Sequence, residues 1–413
     1  MIFSHGLGGT RLAYSHICGS MAANGLVVIV PEHRDGSCPV TFIQDSSEPS
    51  DDTQVTGEKP KGGPGVTEAT VKPKPRERTQ VEYQRYPHIV SRRTAEGRNR
   101  QLDIRTWELS LVYSAIARID AGDIPASTAM FEADTPKRDS LLGELANKLD
   151  IRTPGRLILA GHSFGGATMM HLMKTVYYES QIPKVEPPIF IPASTSCSGT
   201  ILPLNKQLTG QTPLYLLDLW CLPMLSKHFH PLWRFPLPQI EENNAKGILL
   251  VMSEEFFVWK ENTRCVRRVL GREPGRVRGT PEHKNFEMWD TPEGAPTPEE
   301  REPEDDDPCL STGDQIVADS GKSGASTPRG NGESALYPRM YYVIGAAHLS
   351  QSDFGVLFPR AVNTGVKHEE TLDLNVRAAC QWLREYSRLE SEKDADIFDG
   401  TADRWVKMEN VPE

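Results

Sequence analysis

Ser163 lies in Gly161-His162-Ser163-Phe164-Gly165, a G-x-S-x-G pattern set between the apolar run Leu157–Ala160 and residues with helical spacing, Ala167, Met170, His171 and Met173. A strand that turns sharply into a helix exposes a serine hydroxyl at its crest, the geometry of a nucleophile elbow. Gly161 and Gly165 leave room where side chains would collide, and Gly166 lets the helix pack close. A serine hydroxyl is a poor nucleophile at neutral pH and needs an adjacent base, itself oriented by a carboxylate. His348 follows the last expected inner strand, Met340–Ile344, and is the candidate base. The carboxylate stays open on pattern. Asp218 ends the strand Leu214–Leu217, whereas Glu254 and Glu255 follow the next strand, Gly247–Met252, the more usual place for the acid. Either choice keeps the order serine, acid, histidine. Acyl transfer also needs two N–H donors for a developing oxyanion, one after the nucleophile and one from an earlier strand-to-helix loop. Phe164 offers the first, and Leu7, within Ser4-His5-Gly6-Leu7-Gly8-Gly9, the second. His5 is expected to brace that loop, His33 and Arg34 to make structural hydrogen bonds and salt bridges, and His162 to point away from the site.

These residues need a scaffold that brings strand ends together. The glycine-rich loop after a short apolar stub, helical spacing over Tyr14–Ala23 and the strand Leu26–Val30 read as β-α-β. A helix follows over Leu102–Ile119, with Leu102, Trp107, Leu111, Ala115 and Ile119 as its expected buried stripe. A short helix over Leu141–Leu149, the elbow, the strands already named and a closing helix over Leu374–Leu389 complete the order. Phe354, Val356, Leu357 and Phe358 are expected in the core. The fold class is α/β, an α/β-hydrolase fold with a mostly parallel sheet and helices on both faces. Residues 1–413 are expected to form one such domain, interrupted by disordered insertions at about 44–97 and 271–334, the second nearly all acid over Glu299–Asp307. Almost nothing precedes the first glycine-rich loop, so the N-terminal strands of the sheet are expected to be missing.

Lys+Arg 46 against Asp+Glu 56 gives a net charge of −10, which argues against a nucleic-acid partner. The basic piece Lys72–Arg78 reads as a solvated charge run. Seven scattered cysteines with no C-x-x-C pair form neither a disulfide framework nor a zinc motif and fit reduced thiols. No secretory core and no apolar run of ~20 residues is present. A cytoplasmic chain, soluble or peripherally attached to a membrane, is the expectation, and secretion stays open should sequence precede Met1. The chemistry calls for no cofactor and no metal.

Six pieces, FSHGLGGTRLAYS, VPEHRDGS, GHSFGGATM, LLDLWCLP, MSEEFF and GAAHLSQSDF, resemble, in the same order, the platelet-activating factor acetylhydrolase family of the plasma and intracellular type II kind. Members of that family are serine lipases of the α/β-hydrolase fold that act on phospholipids with short or oxidised sn-2 acyl groups. The resemblance implies Ser163 as nucleophile, Asp218 rather than Glu254 or Glu255 as the acid, His348 as base, and the N–H groups of Leu7 and Phe164 as the oxyanion hole. It implies a phospholipid substrate and peripheral membrane contact. The low-complexity insertions, and the histidine neighbourhood AAHLSQSDF, depart from the family pattern.

Overall fold

Apolar runs without polar alternation build the centre of the molecule. In the computed structural model residues 1–44, 78–86, 91–124, 141–192, 202–272, 274, 338–362, 366–386, 389 and 405–407 are described. Among them the strands are β1 (Ile2–Ser4), β2 (Val40–Gln44), β3 (Arg78–Glu82), β4 (Leu159–His162), β5 (Leu214–Leu217), β6 (Ile248–Ser253), β7 (Arg339–Val343) and β8 (Trp405–Lys407). The longer helices are α1 (Ser15–Ala23), α2 (Arg92–Asp120), α3 (Phe164–Tyr177), α4 (Lys260–Val269) and α5 (His368–Glu385). The central sheet has the order β1-β4-β5-β6-β7-β8. Its first five strands are parallel, and β8 joins β7 antiparallel. Every residue of β1, β4, β5 and β6 is buried, as strands covered on both faces require.

The two faces are separate cores. Leu159, Leu214, Leu216 and Leu250 pack with Leu109 and Tyr113 of α2, Met169 and Met173 of α3, and Val266 of α4. Phe3, Ala160, Tyr215, Leu217 and Val251 point the other way, onto Ile17 and Met21 of α1 and Val376 and Leu383 of α5. The fold is therefore an α/β arrangement with a mostly parallel sheet flanked by helices on both sides. All five parallel strands deliver the residues that follow them to one edge of the sheet, which is where Ser163, Asp218 and His348 stand.

Several expectations are corrected. Leu26–Val30 is not a strand. It meets the sheet at one parallel bridge, Ile29 to Ile2, because β1, at three residues, offers few positions to pair. Of the stretch expected as an insertion at about 44–97, residues 45–77 and 87–90 lie outside the described residues. Its remainder is ordered: β3 pairs antiparallel with β2, and α2 starts at Arg92, where the Ser91 hydroxyl accepts the N–H of Thr94 at 3.2 Å. Of 271–334, residues 273 and 275–334 also lie outside the described residues. Leu141–Leu149 is helical only over 141–143 and continues in turns, with Asn147 at φ 60°.

The buried side of α2 differs most from expectation. Trp107 and Leu111 are 48% and 45% exposed, whereas Arg98 and Arg105 are buried. The partners of Arg105, Asp35 and the backbone of His5, lie beyond the helix near the strand ends, a preference that apolar periodicity does not register. Leu357 and Phe358 are likewise 66% and 55% exposed rather than core, while Phe354 and Val356 are partly buried. The Asp353 carboxylate caps α1, accepting the N–H groups of Ser15 at 2.6 Å and His16 at 3.1 Å. That anchors one end of the short helix Asp353–Leu357 and leaves the other outward.

Candidate active site

The turn between β4 and α3 is built by close backbone approach. A side chain at Gly161 would put its first carbon 2.5 Å from the backbone of Gly165, and one at Gly165 would lie 2.0 Å from the carbonyl oxygen of Ser4. Only glycine fits either place. Ser163 sits at the crest with φ 55° and ψ −120°, a left-handed conformation costing a non-glycine residue about 1–3 kcal/mol. The surrounding ladder holds it there: Ser163 N–H donates to Leu217 O at 2.9 Å.

Asp218 follows β5, also at positive φ, 41°. Its carboxylate is fully buried and accepts three hydrogen bonds. Oδ1 takes the Ser253 N–H at 2.5 Å, and Oδ2 takes the Ser253 hydroxyl at 2.8 Å and His348 Nδ1 at 2.9 Å. Burial pushes the Asp218 pKa up from the ordinary carboxylate range, and the bonds from His348 and Ser253 oppose that rise. The pairing with Asp218 leaves Nε2 as the free edge of the His348 imidazole.

Glu254 and Glu255 hold the backbone of the histidine loop rather than its ring. Glu254 Oε2 accepts the N–H of Gly345, and Glu255 Oε2 that of His348, each at 2.6 Å. The His348 ring is clamped between two others, Phe256 at 4.0 Å and 11° and His162 at 4.4 Å and 30°. His162 therefore faces the site, against the expectation that it points away. Gly6 N–H donates to Tyr14 Oη at 3.0 Å, and the Tyr14 hydroxyl shares a hydrogen bond with His162 Nδ1 at 2.8 Å. The other ring nitrogen, His162 Nε2, lies 4.0 Å from Asp218 Oδ2. Burial, reinforced by the neighbouring His348, holds the His162 pKa well below the usual imidazole value and keeps the ring neutral.

The loop carrying Leu7 lies directly on the elbow. A side-chain carbon on Gly6 would fall 3.2 Å from the Ser163 Cβ and 3.2 Å from His162 Nδ1. Among the described residues neither the Leu7 N–H nor the Phe164 N–H has a hydrogen-bond acceptor. His5 braces the loop from within: Nδ1 donates to Gly6 O at 2.9 Å, and Nε2 accepts the His33 N–H at 3.2 Å. His33 bonds Ser4 Oγ and Glu108 Oε2, each at 2.8 Å, while Arg34 N–H donates to Glu108 Oε1 at 2.9 Å.

Arg105 ties this loop to the nucleophile helix. Nε donates to Asp35 Oδ2 at 2.6 Å, Nη1 to His5 O at 2.8 Å, to Ser4 Oγ at 3.3 Å and to Thr168 Oγ1 at 3.4 Å, and Nη2 to Ser37 Oγ at 2.5 Å. Its guanidinium also lies 4.6 Å from the Phe164 ring. Arg105, His162, Ser253 and Phe256 were not legible as site residues. Only Ser253 left a signal, a serine ahead of two glutamates at a helix start, where its hydroxyl accepts the Phe256 N–H at 3.2 Å.

Among the described residues, two sets of side chains place ligand atoms within 4.8 Å of one another and could hold an ion: His162, Asp218 and His348, and His5, Glu32 and Cys38. In both, hydrogen bonds within the protein already engage ligand atoms, His348 Nδ1 with Asp218 and His5 Nε2 with the His33 N–H.

Parallel sheet, covering helices and glycine-bounded elbow together define an α/β fold of the hydrolase type. Sequence comparison narrows this. The profile of the family described as platelet-activating factor acetylhydrolase, isoform II, matches residues 1–185. A Schizosaccharomyces pombe protein named by inference as a phospholipase A2 is 22% identical over 396 residues, 93% of this chain and 67% of that one. The platelet-activating factor acetylhydrolase of Gallus gallus is 28% identical over 173 residues, 41% of this chain and 34% of its own length. That of Bos taurus is 29% identical over 179 residues, 42% and 31%. The chain thus aligns with about a third of the length of these vertebrate relatives, and it is homologous to the acetylhydrolase and phospholipase-A2-like family in general. No helix among the described residues is long and apolar enough to cross a membrane.

Proposed function

We propose that the chain is a serine-dependent ester hydrolase acting on the sn-2 short-chain acyl ester of phospholipids, of the platelet-activating factor type, through an acyl-enzyme. The observation that carries this reading is the 2.9 Å bond from His348 Nδ1 to the buried Asp218, on the sheet edge where Ser163 crowns a strained turn. Asp218 fixes the imidazole tautomer with the proton on Nδ1 and leaves Nε2 as the base. In the first step Nε2 takes the Ser163 proton as Oγ bonds to the ester carbonyl carbon. The oxyanion is met by the N–H groups of Leu7 and Phe164. His348 then gives its proton to the departing lyso-phospholipid oxygen. Water, deprotonated by the same nitrogen, attacks the acyl-enzyme, and the carboxylic acid leaves as Ser163 regains its proton.

The same reading takes residues 1–413 as one domain and the protein as a cytoplasmic one that meets lipid at its surface. Leu12, Leu357 and Phe358 are exposed on segments joined through the Asp353 cap of α1 and offer apolar side chains for that contact. The test is turnover of 1-alkyl-2-acetyl-glycerophosphocholine beside a long-chain triacylglycerol. Acetate release that disappears in Ser163→Ala supports the reading. Hydrolysis of the triacylglycerol with none of the phospholipid overturns the substrate class.

A further inference from the structure

Arg98 is 1% exposed on α2. Its Nη1 donates to Gln101 Oε1 at 2.7 Å, while Nε and Nη2, both buried, have no hydrogen-bond partner. No carboxylate pairs with it among the described residues. Asp35, the acidic group that acts on it from nearby, is ion-paired with Arg105 at 2.6 Å. Three rings surround the guanidinium instead, Tyr86 at 5.2 Å, Trp220 at 5.4 Å and Phe164 at 5.8 Å. Cation–π contacts offset less than a buried cation with open donors loses in leaving water. The Tyr83 phenol offers the guanidinium a hydrogen bond but no charge that neutralises the site at neutral pH.

The place of this cation in the site is telling. Phe164 directly follows Ser163, and the backbone N–H of Trp220, two residues after Asp218, donates to Ser163 O at 3.4 Å. The Asn99 side chain accepts the Ser226 hydroxyl at 2.9 Å, which fixes α2 against the chain beyond Trp220. Of the three rings only Tyr86 is half-exposed, and it lies across Gly97 so closely that a side-chain carbon there would fall 2.3 Å from it. Of these three rings, Tyr86 is thus the one that meets both Arg98 and solvent.

We propose that Arg98 is an anion-recognition residue beside the nucleophile, and that the anion it takes is the phosphodiester of the substrate. This rests on the phospholipid reading above and deepens it. A planar guanidinium with two open N–H donors matches two phosphate oxygens. In a phospholipid that phosphate is bonded to the glycerol carbon next to the one bearing the sn-2 ester. Binding the phosphate with Tyr86 displaced completes the donors that the empty site leaves unpaired.

The test compares the chain with Arg98→Gln, Arg98→Lys and Tyr86→Ala. The specificity ratio of 1-alkyl-2-acetyl-glycerophosphocholine to 4-nitrophenyl acetate should fall about 10–100-fold in Arg98→Gln, chiefly through KM, and recover in part in Arg98→Lys, as expected for loss of a charge-assisted hydrogen bond. Inorganic phosphate and glycerophosphocholine, each added alone, should raise the thermal midpoint of the parent chain and not of Arg98→Gln. A stronger response to glycerophosphocholine assigns the site to the head group, and a stronger response to phosphate assigns it to a free anion and overturns the substrate half of the proposal. Tyr86→Ala should strengthen either response, and it decides the matter if Arg98→Gln fails to fold. An unchanged ratio in a folded Arg98→Gln, or thermal shifts equal in parent and variant, overturns the proposal. Because the thermal shift needs no turnover, loss of the Arg98 dependence is distinguishable from a chain that hydrolyses no phospholipid.

Discussion

Replacing Arg105 by Met tests the link between the glycine-rich loop and the nucleophile helix. Arg105 and Asp35 are both completely buried and lie 2.6 Å apart. Removing one member of such a pair leaves an uncompensated charge and costs about 3–5 kcal/mol, a large share of the stability of a typical domain. The loss includes the charged donor to His5 O at 2.8 Å, a bond of a kind worth about 1.5–3 kcal/mol. Arg105→Lys keeps the charge, but one ammonium does not span Asp35, His5 and Ser37, so an intermediate loss of about 1–2 kcal/mol follows. Urea unfolding followed by tryptophan fluorescence reads these differences by linear extrapolation. Adding Asp35→Asn to Arg105→Met should recover part of the loss, with a coupling energy of about 2 kcal/mol or more in the double-mutant cycle. In the surviving folded fraction kcat should fall more than KM changes, because the loop that carries Leu7 loses its support. A loss below about 1 kcal/mol together with an additive cycle would refute the clamp.

Burial pushes the Glu108 pKa up to about 7. The folded chain then holds this proton after the unfolded chain has released it, so the contribution to stability is full below the ordinary glutamate range and is lost as pH rises towards 7. The unfolding free energy of the parent minus that of Glu108→Gln should fall by about 2–3 kcal/mol between pH 4.5 and 7, and a constant or rising difference in urea titrations contradicts this. Lys174 is completely buried on α3 with one long bond, to Trp233 O at 3.4 Å, and its pKa is pushed down to about 7. Lys174→Met should therefore stabilise the fold by about 2–4 kcal/mol at pH 7, and less as pH approaches the ordinary lysine range; destabilisation in the same titration refutes it. Gly165→Ala drives a carbon to 2.0 Å from Ser4 O and should lower the unfolding free energy by about 3 kcal/mol, with β1 displaced from the elbow. A neutral effect would mean that the two backbones are not so close.

Legibility followed the kind of force involved. Strands β4 to β6 show as apolar runs because both their faces are buried, and the elbow shows because glycine is forced where backbones meet. The sequence order of Ser163, Asp218 and His348 follows from those strands, and the structure joins Asp218 to His348. The inward face of α2 is hidden in the sequence because Arg105 and Glu108 are buried by pairing with groups far along the chain, Asp35 and His33. Polar residues with distant partners look like a solvated face until the fold brings the partners in. The orientation of His162 is hidden in the sequence for a related reason: it is bonded to the Tyr14 hydroxyl, 148 residues away. The order of β2 and β3 comes from antiparallel pairing across a polar stretch that carries no apolar period.

The chemistry stands or falls on the hydroxyl of Ser163. Incubating the full chain with a fluorophosphonate and mapping the adduct by peptide mass spectrometry should place it on Ser163, with labelling abolished in Ser163→Ala and slowed about 10⁴-fold in Asp218→Asn, where the tautomer of His348 is no longer fixed. A folded chain that takes no label, or one labelled at another residue and unaffected by Ser163→Ala, would contradict it.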